Sequence, residues 1–217
     1  MSYKKLPTKR LFYGRWPYKV ETLVSGANFV RNWGLSTTLS RIASIRRDDL
    51  DKDKLIALDS LLKSFKENKS VQSRIEHDHA NFFTNSLEEV DKICTTLGSS
   101  VTAVYMPQSD RELEMLRSSK QILIVDKYPY GKYTHKIYLK GNIDFQRKQS
   151  ISKWIASLPT DEYRVSNYRW FHSMNWWGAP HIYFKNEKTA SMLSLMVGDH
   201  IAKIEKYVLR SSINTES

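Results

Sequence analysis

Two groups of residues have the types and spacing that chemistry needs. The first is Glu76-His77-Asp78-His79. Histidines at i and i+2 of an extended strand point to the same side. His77 and His79 could therefore share a metal ion, with Glu76 or Asp78 adding a carboxylate oxygen. The second group pairs aromatic with basic side chains: Lys136, Tyr138, Lys140, Arg164, Tyr168, Trp170, Tyr183 and Lys185. Such rings stack on unpaired bases while Lys and Arg neutralise phosphates, which is the chemistry of single-stranded nucleic-acid binding. The amino-terminal stretch adds charge. Residues 1–47 hold ten Lys or Arg and one acid, Glu21, so the other 170 residues supply only +2 of the net +11. A basic arm over 1–17, interleaved with Phe12, Tyr13 and Trp16, implies an anionic partner: nucleic acid first, an anionic membrane surface second. Phosphate contacts are expected from Lys4, Lys5, Lys9, Arg10, Arg15, Arg46 and Arg47.

Other chemistry is missing from the sequence. Cys94 is the single cysteine, so it forms no internal disulfide and no zinc site by itself. No His-Glu-x-x-His, Gly-x-Ser-x-Gly or Cys-His pairing occurs, and "GANFVRNWG" lacks the glycine spacing and lysine of a phosphate loop. The expectation is a non-enzymatic protein without cofactor or resident metal. "MSYKKLPTKR" is followed by no apolar h-region, and no apolar run has the length of a membrane span. A reducing, cytoplasmic compartment and no membrane insertion are expected.

The elements that must position these residues can be read from periodicity. At 217 residues and 41% hydrophobic content, the chain suffices for one large domain or two small ones. Residues 18–24 alternate as a strand, while 25–47, with two glycines and mixed periodicity, fit neither pattern cleanly. Residues 48–70 form an amphipathic helix carrying Leu55, Leu58, Leu61, Leu62 and Phe65 at three- and four-residue steps. Residues 71–85 read as two short strands around a polar turn. Ser86 with Glu89, and Ser109 with Glu112, are capping boxes opening helices over 86–98 and 109–119. Strands follow at 100–106, 121–128, 134–141, 162–171, 180–186 and 201–209, with helices at 142–159 and 187–199. The order β-α-β-β-α-β thus appears twice. The fold class is α+β: two tandem ferredoxin-like (βαββαβ) units with antiparallel sheets, plus the basic N-terminal arm. The segments are an arm (1–17), a first unit (18–106), a connecting helix and strand (107–133), a second unit (134–209) and a tail (210–217). "VYMPQSDRELEML" (104–116) echoes "IYFKNEKTASML" (182–193), and "ILIVDKY" echoes "IAKIEKY", as an internal duplication would.

In each such unit two helices cover one sheet face and leave the other open. Alternation in the second unit turns Ile137, Leu139, Ile182, Phe184, Ala202, Ile204, Val208, Tyr163, Val165 and Phe171 inward. Lys136, Tyr138, Lys140, His181, Tyr183, Lys185, Lys203, Glu205, Tyr207, Arg164, Tyr168, Trp170 and His172 then face outward. Trp176 and Trp177 fall in a loop, where a double tryptophan must be covered by protein or by a base.

Three functions fit. The first is a non-enzymatic protein that binds single-stranded or structured RNA or DNA through the arm and the aromatic face. The second is a viral or phage structural or assembly subunit, cytoplasmic or virion-associated, whose aromatic faces join subunits into a homo-oligomer or larger assembly. Abundant Lys, Ser, Asn, Ile and Tyr with little Ala and Gly, as an AT-rich genome encodes, favours it. In the third, Glu76–His79 is similar to the His-hydrophobic-His strand of rolling-circle (HUH-like) nucleases, which pair it with a nucleophilic Tyr on a helix. That resemblance implies metal-dependent nicking resting on His77 and His79. Here the middle residue is Asp78, and no helix carries a matching Tyr.

Overall fold

The computed structural model describes residues 3–45, 50–173 and 180–214. The chain divides into two compact units, Met1–Arg117 and Ser118–Ser217. The first contains β1 (Lys4–Pro7), β2 (Tyr18–Leu23), α1 (Ala27–Trp33), α2 (Leu35–Ile45), α3 (Lys52–Asn68), β3 (Val71–Glu76), β4 (His79–Thr84), α4 (Leu87–Leu97), β5 (Val101–Met106) and α5 (Asp110–Ser118). The second contains β6 (Ile122–Val125), β7 (His135–Leu139), α6 (Phe145–Ala156), β8 (Tyr163–Val165), β9 (His181–Phe184), α7 (Glu187–Val197), β10 (Ile201–Leu209) and α8 (Arg210–Asn214). Among these described residues, no helix is long and apolar enough to cross a membrane.

Both sheets have five strands, in the orders β1-β5-β2-β4-β3 and β6-β10-β7-β9-β8. Within each, the last four strands are antiparallel and follow the βαββαβ path, so the chain is two tandem ferredoxin-like units. The fifth strand lies at an edge and is parallel: β1 on β5 and β6 on β10. Each antiparallel βαββαβ sheet thus gains one parallel edge strand from outside the unit's expected range. Residues 4–7, read above as arm, and 122–125, read as connection, are the equivalent edge strands of the two units. A four-residue strand carries too short an alternation to stand out in sequence.

The helices form where capping and periodicity place them. Ser86 Oγ accepts from the Glu89 N–H at 3.4 Å and Ser109 Oγ from the Glu112 N–H at 3.3 Å. Asp144 and Asn186 cap α6 and α7 through the Arg147 and Thr189 N–H groups at 2.8 and 2.9 Å. Such caps contribute about 1 kcal/mol each. Gly98 and Gly198 end α4 and α7 at φ 48° and 51°, a conformation that costs a residue with a Cβ. The segment 86–106 is thus the counterpart of 186–206. The echo of 104–116 with 182–193 sets β5 and α5 beside β9 and α7, which are not equivalent elements. Within the segment that fits neither pattern, residues 27–45 form α1 and α2, with Gly26 at φ 85° before α1; a Cβ there would sit 3.2 Å from Leu50 Cδ2.

Each unit has its own core on the helix-covered face. Val20, Leu55, Leu58, Phe82, Ile93 and Val104 centre the first. Ile137, Ile151, Ile155, Ile182, Phe184 and Leu193 centre the second. Full burial of such side chains stabilises by roughly 1.5–3 kcal/mol apiece. Cys94 belongs to the first core, and burial raises its thiol pKa. The strand expected over 162–171 stops at Val165. Residues Tyr168–His172 form a 3-10 turn in which the Asn167 side chain accepts from the Arg169 N–H at 3.1 Å. Helical turning replaces alternation and buries the neighbours Trp170 and Phe171 together.

Candidate functional site

The face of the second sheet opposite its helices carries the strongest concentration of functional side chains. Cross-strand register puts Glu205, Lys136, Tyr183 and Arg164 in one row over β10, β7, β9 and β8. A second row holds Lys203, Tyr138 and His181. The turn before β7 adds Tyr130 and Tyr133. Tyr130 meets Tyr183 edge-on at 5.3 Å between centroids, and Tyr133 lies 5.8 Å from Tyr183. His181 sits 5.4 Å from Tyr138 and 5.3 Å from Tyr183. Lys136 Nζ stands 4.4 Å from the Tyr138 ring centroid and 5.1 Å from that of Tyr183. The Arg164 guanidinium stacks on Tyr130 at 4.1 Å. Cations held over rings leave the platform positive and its aromatic surfaces fixed.

Glu205 anchors this face. Its Oε2 accepts from the Tyr138 and Tyr207 hydroxyls, each at 3.1 Å, and its Oε1 pairs with Lys203 Nζ at 2.5 Å. Burial pushes the carboxyl pKa up, but the Lys203, Tyr207 and Tyr138 contacts outweigh it and hold Glu205 below the usual range. Burial and then the Glu205 charge raise the Tyr207 phenol. His181 is lowered by burial and then by Lys136, so its neutral ring is favoured beside the lysine.

Lys136, Tyr138, His181, Tyr183, Lys203, Glu205, Tyr207 and Arg164 do occupy the face that alternation assigns to them. Exposure differs among them. Tyr130 is 60% exposed, whereas Tyr207 and Glu205 are buried within the hydrogen-bonded hub. Lys140 and Lys185 are exposed just beyond their strands, and Lys185 pairs with Asp161 at 3.0 Å. Ala202, expected inward, is exposed because a register shift between Ile201 and Lys203 interrupts alternation. Trp170 is a correction: it is fully buried, edge-on to Phe171 at 5.1 Å, with Lys148 Nζ 4.5 Å from its ring and donating to the Ser173 carbonyl at 3.1 Å. It offers no stacking surface. Tyr168 is half exposed but lies on the 3-10 turn rather than on β8. Trp176, Trp177, Arg46 and Arg47 lie outside the described residues.

The equivalent face of the first sheet is covered by the segment expected to be an arm. After β1 the chain crosses that face as a tight turn, with Tyr13 and Gly14 both left-handed at φ 53° and 65°. Phe12 packs on Phe83 and Tyr105 at 5.7 Å, Tyr13 lies edge-on to Phe83 at 4.9 Å, and Trp16 Nε1 donates to Gln72 Oε1 at 3.0 Å. Lys4 and Lys5 are exposed on the edge strand β1, where lysine discourages edge-to-edge pairing. Lys9 and Arg10 are exposed beyond it, and the Arg15 guanidinium stacks on Trp16 at 4.3 Å. These five cations therefore ride on a folded surface. Tyr130-Gly131, at φ 52° and 78°, repeats the turn in the second unit. Each Tyr-Gly pair stands six residues before a lysine on the sheet face opposite the helices, Lys19 or Lys136. The echo "YGRW"/"YGKY" is the sequence signal that reveals it.

His77 is left-handed (φ 53°) in the β3–β4 turn, and His79 opens β4. The two are not successive same-face residues of one strand. Asp78 Oδ1 accepts from the Gly26 N–H at 2.9 Å, docking the turn on the loop before α1. Among the described residues, no three His, Cys, Asp or Glu side chains gather as a metal site would require. No protein-family model matches the chain, and no curated protein matches it.

Proposed function

We propose that the protein binds single-stranded nucleic acid on the face of its second sheet opposite the helices. The observation that carries this reading is the cluster Tyr130, Tyr138, His181 and Tyr183, with Lys136 between the rings and Arg164 and Lys203 against them. Bases stack on Tyr130, Tyr183 and the Tyr138–His181 pair, and the surrounding cations meet phosphates. Each stacked base contributes about 1–3 kcal/mol, so two or three rings give useful affinity without any reading of base sequence. The basic surface of the first unit, Lys4, Lys5, Lys9, Arg10 and Arg15, adds a salt-sensitive attraction. No catalytic group is required.

Fluorescence anisotropy with labelled single-stranded RNA and DNA of mixed sequence tests this. Tyr130→Ala should weaken binding by about 5- to 150-fold, the equivalent of one stacked base. Lys136→Gln should reduce the slope of log affinity against log salt by about 0.7. Equal affinities for both variants and the parent, at unchanged melting temperature, would refute the assignment.

A further inference from the structure

A cavity of the first unit plays no part in that interface. It lies between α1, α3 and the free edge of β3 and measures about 530 Å³, within the range of small-ligand sites. Arg31, Lys63 and Lys66 line it together with apolar Val30, Leu62 and Ile75. Its one acid, Asp59, is nearly buried and pairs with Lys63 Nζ at 2.7 Å. Arg74 reaches the rim, but its guanidinium is bound to Glu76 and the Tyr13 hydroxyl. Arg31, Lys63 and Lys66 against Asp59 leave a lining charge of +2. Arg31 Nη1 donates to the Ile75 carbonyl at 2.5 Å, which fixes the guanidinium while a guanidinium has further N–H donors to offer. Lys66 is exposed and has no ion-pair partner among the described residues. Gly34 lines the cavity too, with no atom within 4 Å of where its Cβ would stand, so access is open on that side.

We infer that this cavity is a site for an organic phosphate monoester. The phosphate sits between Arg31 and Lys66, where a dianion balances the +2 lining and a planar guanidinium can hold two of its oxygens. The body of the ligand lies against Val30 and Leu62. A free mononucleotide and the 5′-phosphorylated end of a strand share this chemistry. The site uses none of the residues of the second unit's face, so either assignment can fail without the other.

Calorimetric titration of the full chain tests it with four probes: adenosine 5′-monophosphate, adenosine, and a trinucleotide with and without a 5′-phosphate. The monophosphate should bind and adenosine should not. A phosphorylated trinucleotide that binds more tightly than both the mononucleotide and the unphosphorylated trinucleotide, by a margin that Lys66→Glu removes, identifies a strand end as the ligand; a mononucleotide that binds more tightly than the phosphorylated trinucleotide identifies a free nucleotide. Lys66→Glu, on an exposed position that spares the fold, should weaken phosphate binding roughly tenfold or more, the worth of one charge-assisted contact. Arg31→Gln should act in the same direction. No heat with any phosphorylated probe, or an affinity indifferent to both Lys66→Glu and Arg31→Gln, would overturn the inference.

Discussion

Replacing Glu205 by alanine removes the acceptor that two phenols and a lysine share. Tyr207 is buried and Tyr138 half-buried, and both donate to Oε2 at 3.1 Å. A hydrogen bond to a charged group is worth about 1.5–3 kcal/mol. Tyr138 can regain water in part, so the two phenols together lose about 3–4 kcal/mol. The Lys203 side chain is 44% exposed, and its pair, screened by solvent, adds about 0.5 kcal/mol. Glu205→Ala should therefore cost about 3–5 kcal/mol, and Glu205→Gln, which keeps shape and an acceptor, about 1–2 kcal/mol. Urea unfolding followed by far-ultraviolet circular dichroism measures both. A double-mutant cycle with Tyr207→Phe should return a coupling of about 1–2 kcal/mol. A cost below about 1 kcal/mol for Glu205→Ala, or strict additivity with Tyr207→Phe, would refute the hub.

Trp170→Ala should destabilise by about 3–5 kcal/mol, as loss of a fully buried aromatic does, while Tyr168→Ala should change stability little; equal small effects in thermal unfolding would return both residues to a solvent-facing strand. Removing residues 1–16 should lower the melting temperature by several degrees, because β1 and the Phe12–Trp16 cover leave with them; an unchanged melting curve would describe a free arm. His135 and His181 are both held below their ordinary 6.5 chiefly by burial. The unfolded chain then takes up protons that the folded one resists, so stability is full above about pH 6.5 and falls as pH drops below it. The melting temperature should decline from pH 7 to pH 5, and His135→Gln with His181→Gln should flatten that decline; an identical slope in the double variant would assign it to other groups.

Much of this architecture was legible because local rules and global packing agree. The leucine steps of α3, the caps at Ser86 and Ser109 and the alternation of β7 and β9 each specify an element without tertiary help. Alternation alone also assigns Lys136, Tyr138, His181 and Tyr183 to the second sheet's face opposite the helices. What escaped depends on long-range contacts. Lys4–Pro7 is a strand only because β5 offers it a parallel edge, and four residues are too few to announce themselves by pattern. The Phe12–Trp16 turn looked like a charged arm, since composition registers Arg15 and Lys9 but not the packing of Phe12 on Phe83 and Tyr105. Trp170 was turned outward by extending a strand past Val165, where the Asn167 side chain caps a 3-10 turn instead. Alternation likewise cannot see the shift at Ala202, or the carboxylate that draws Tyr207 out of solvent on a nominally open face.

Single-stranded nucleic acid held on the second sheet's face opposite the helices should lie within bonding reach of its rings. Ultraviolet cross-linking of a bound, mixed-sequence oligonucleotide, followed by mass spectrometry of the peptides, tests it most directly. Adducts should form on Tyr130, Tyr138, His181 and Tyr183 and disappear when unlabelled single strand competes. Adducts confined to the first unit, or none at concentrations where binding is saturated, would contradict it.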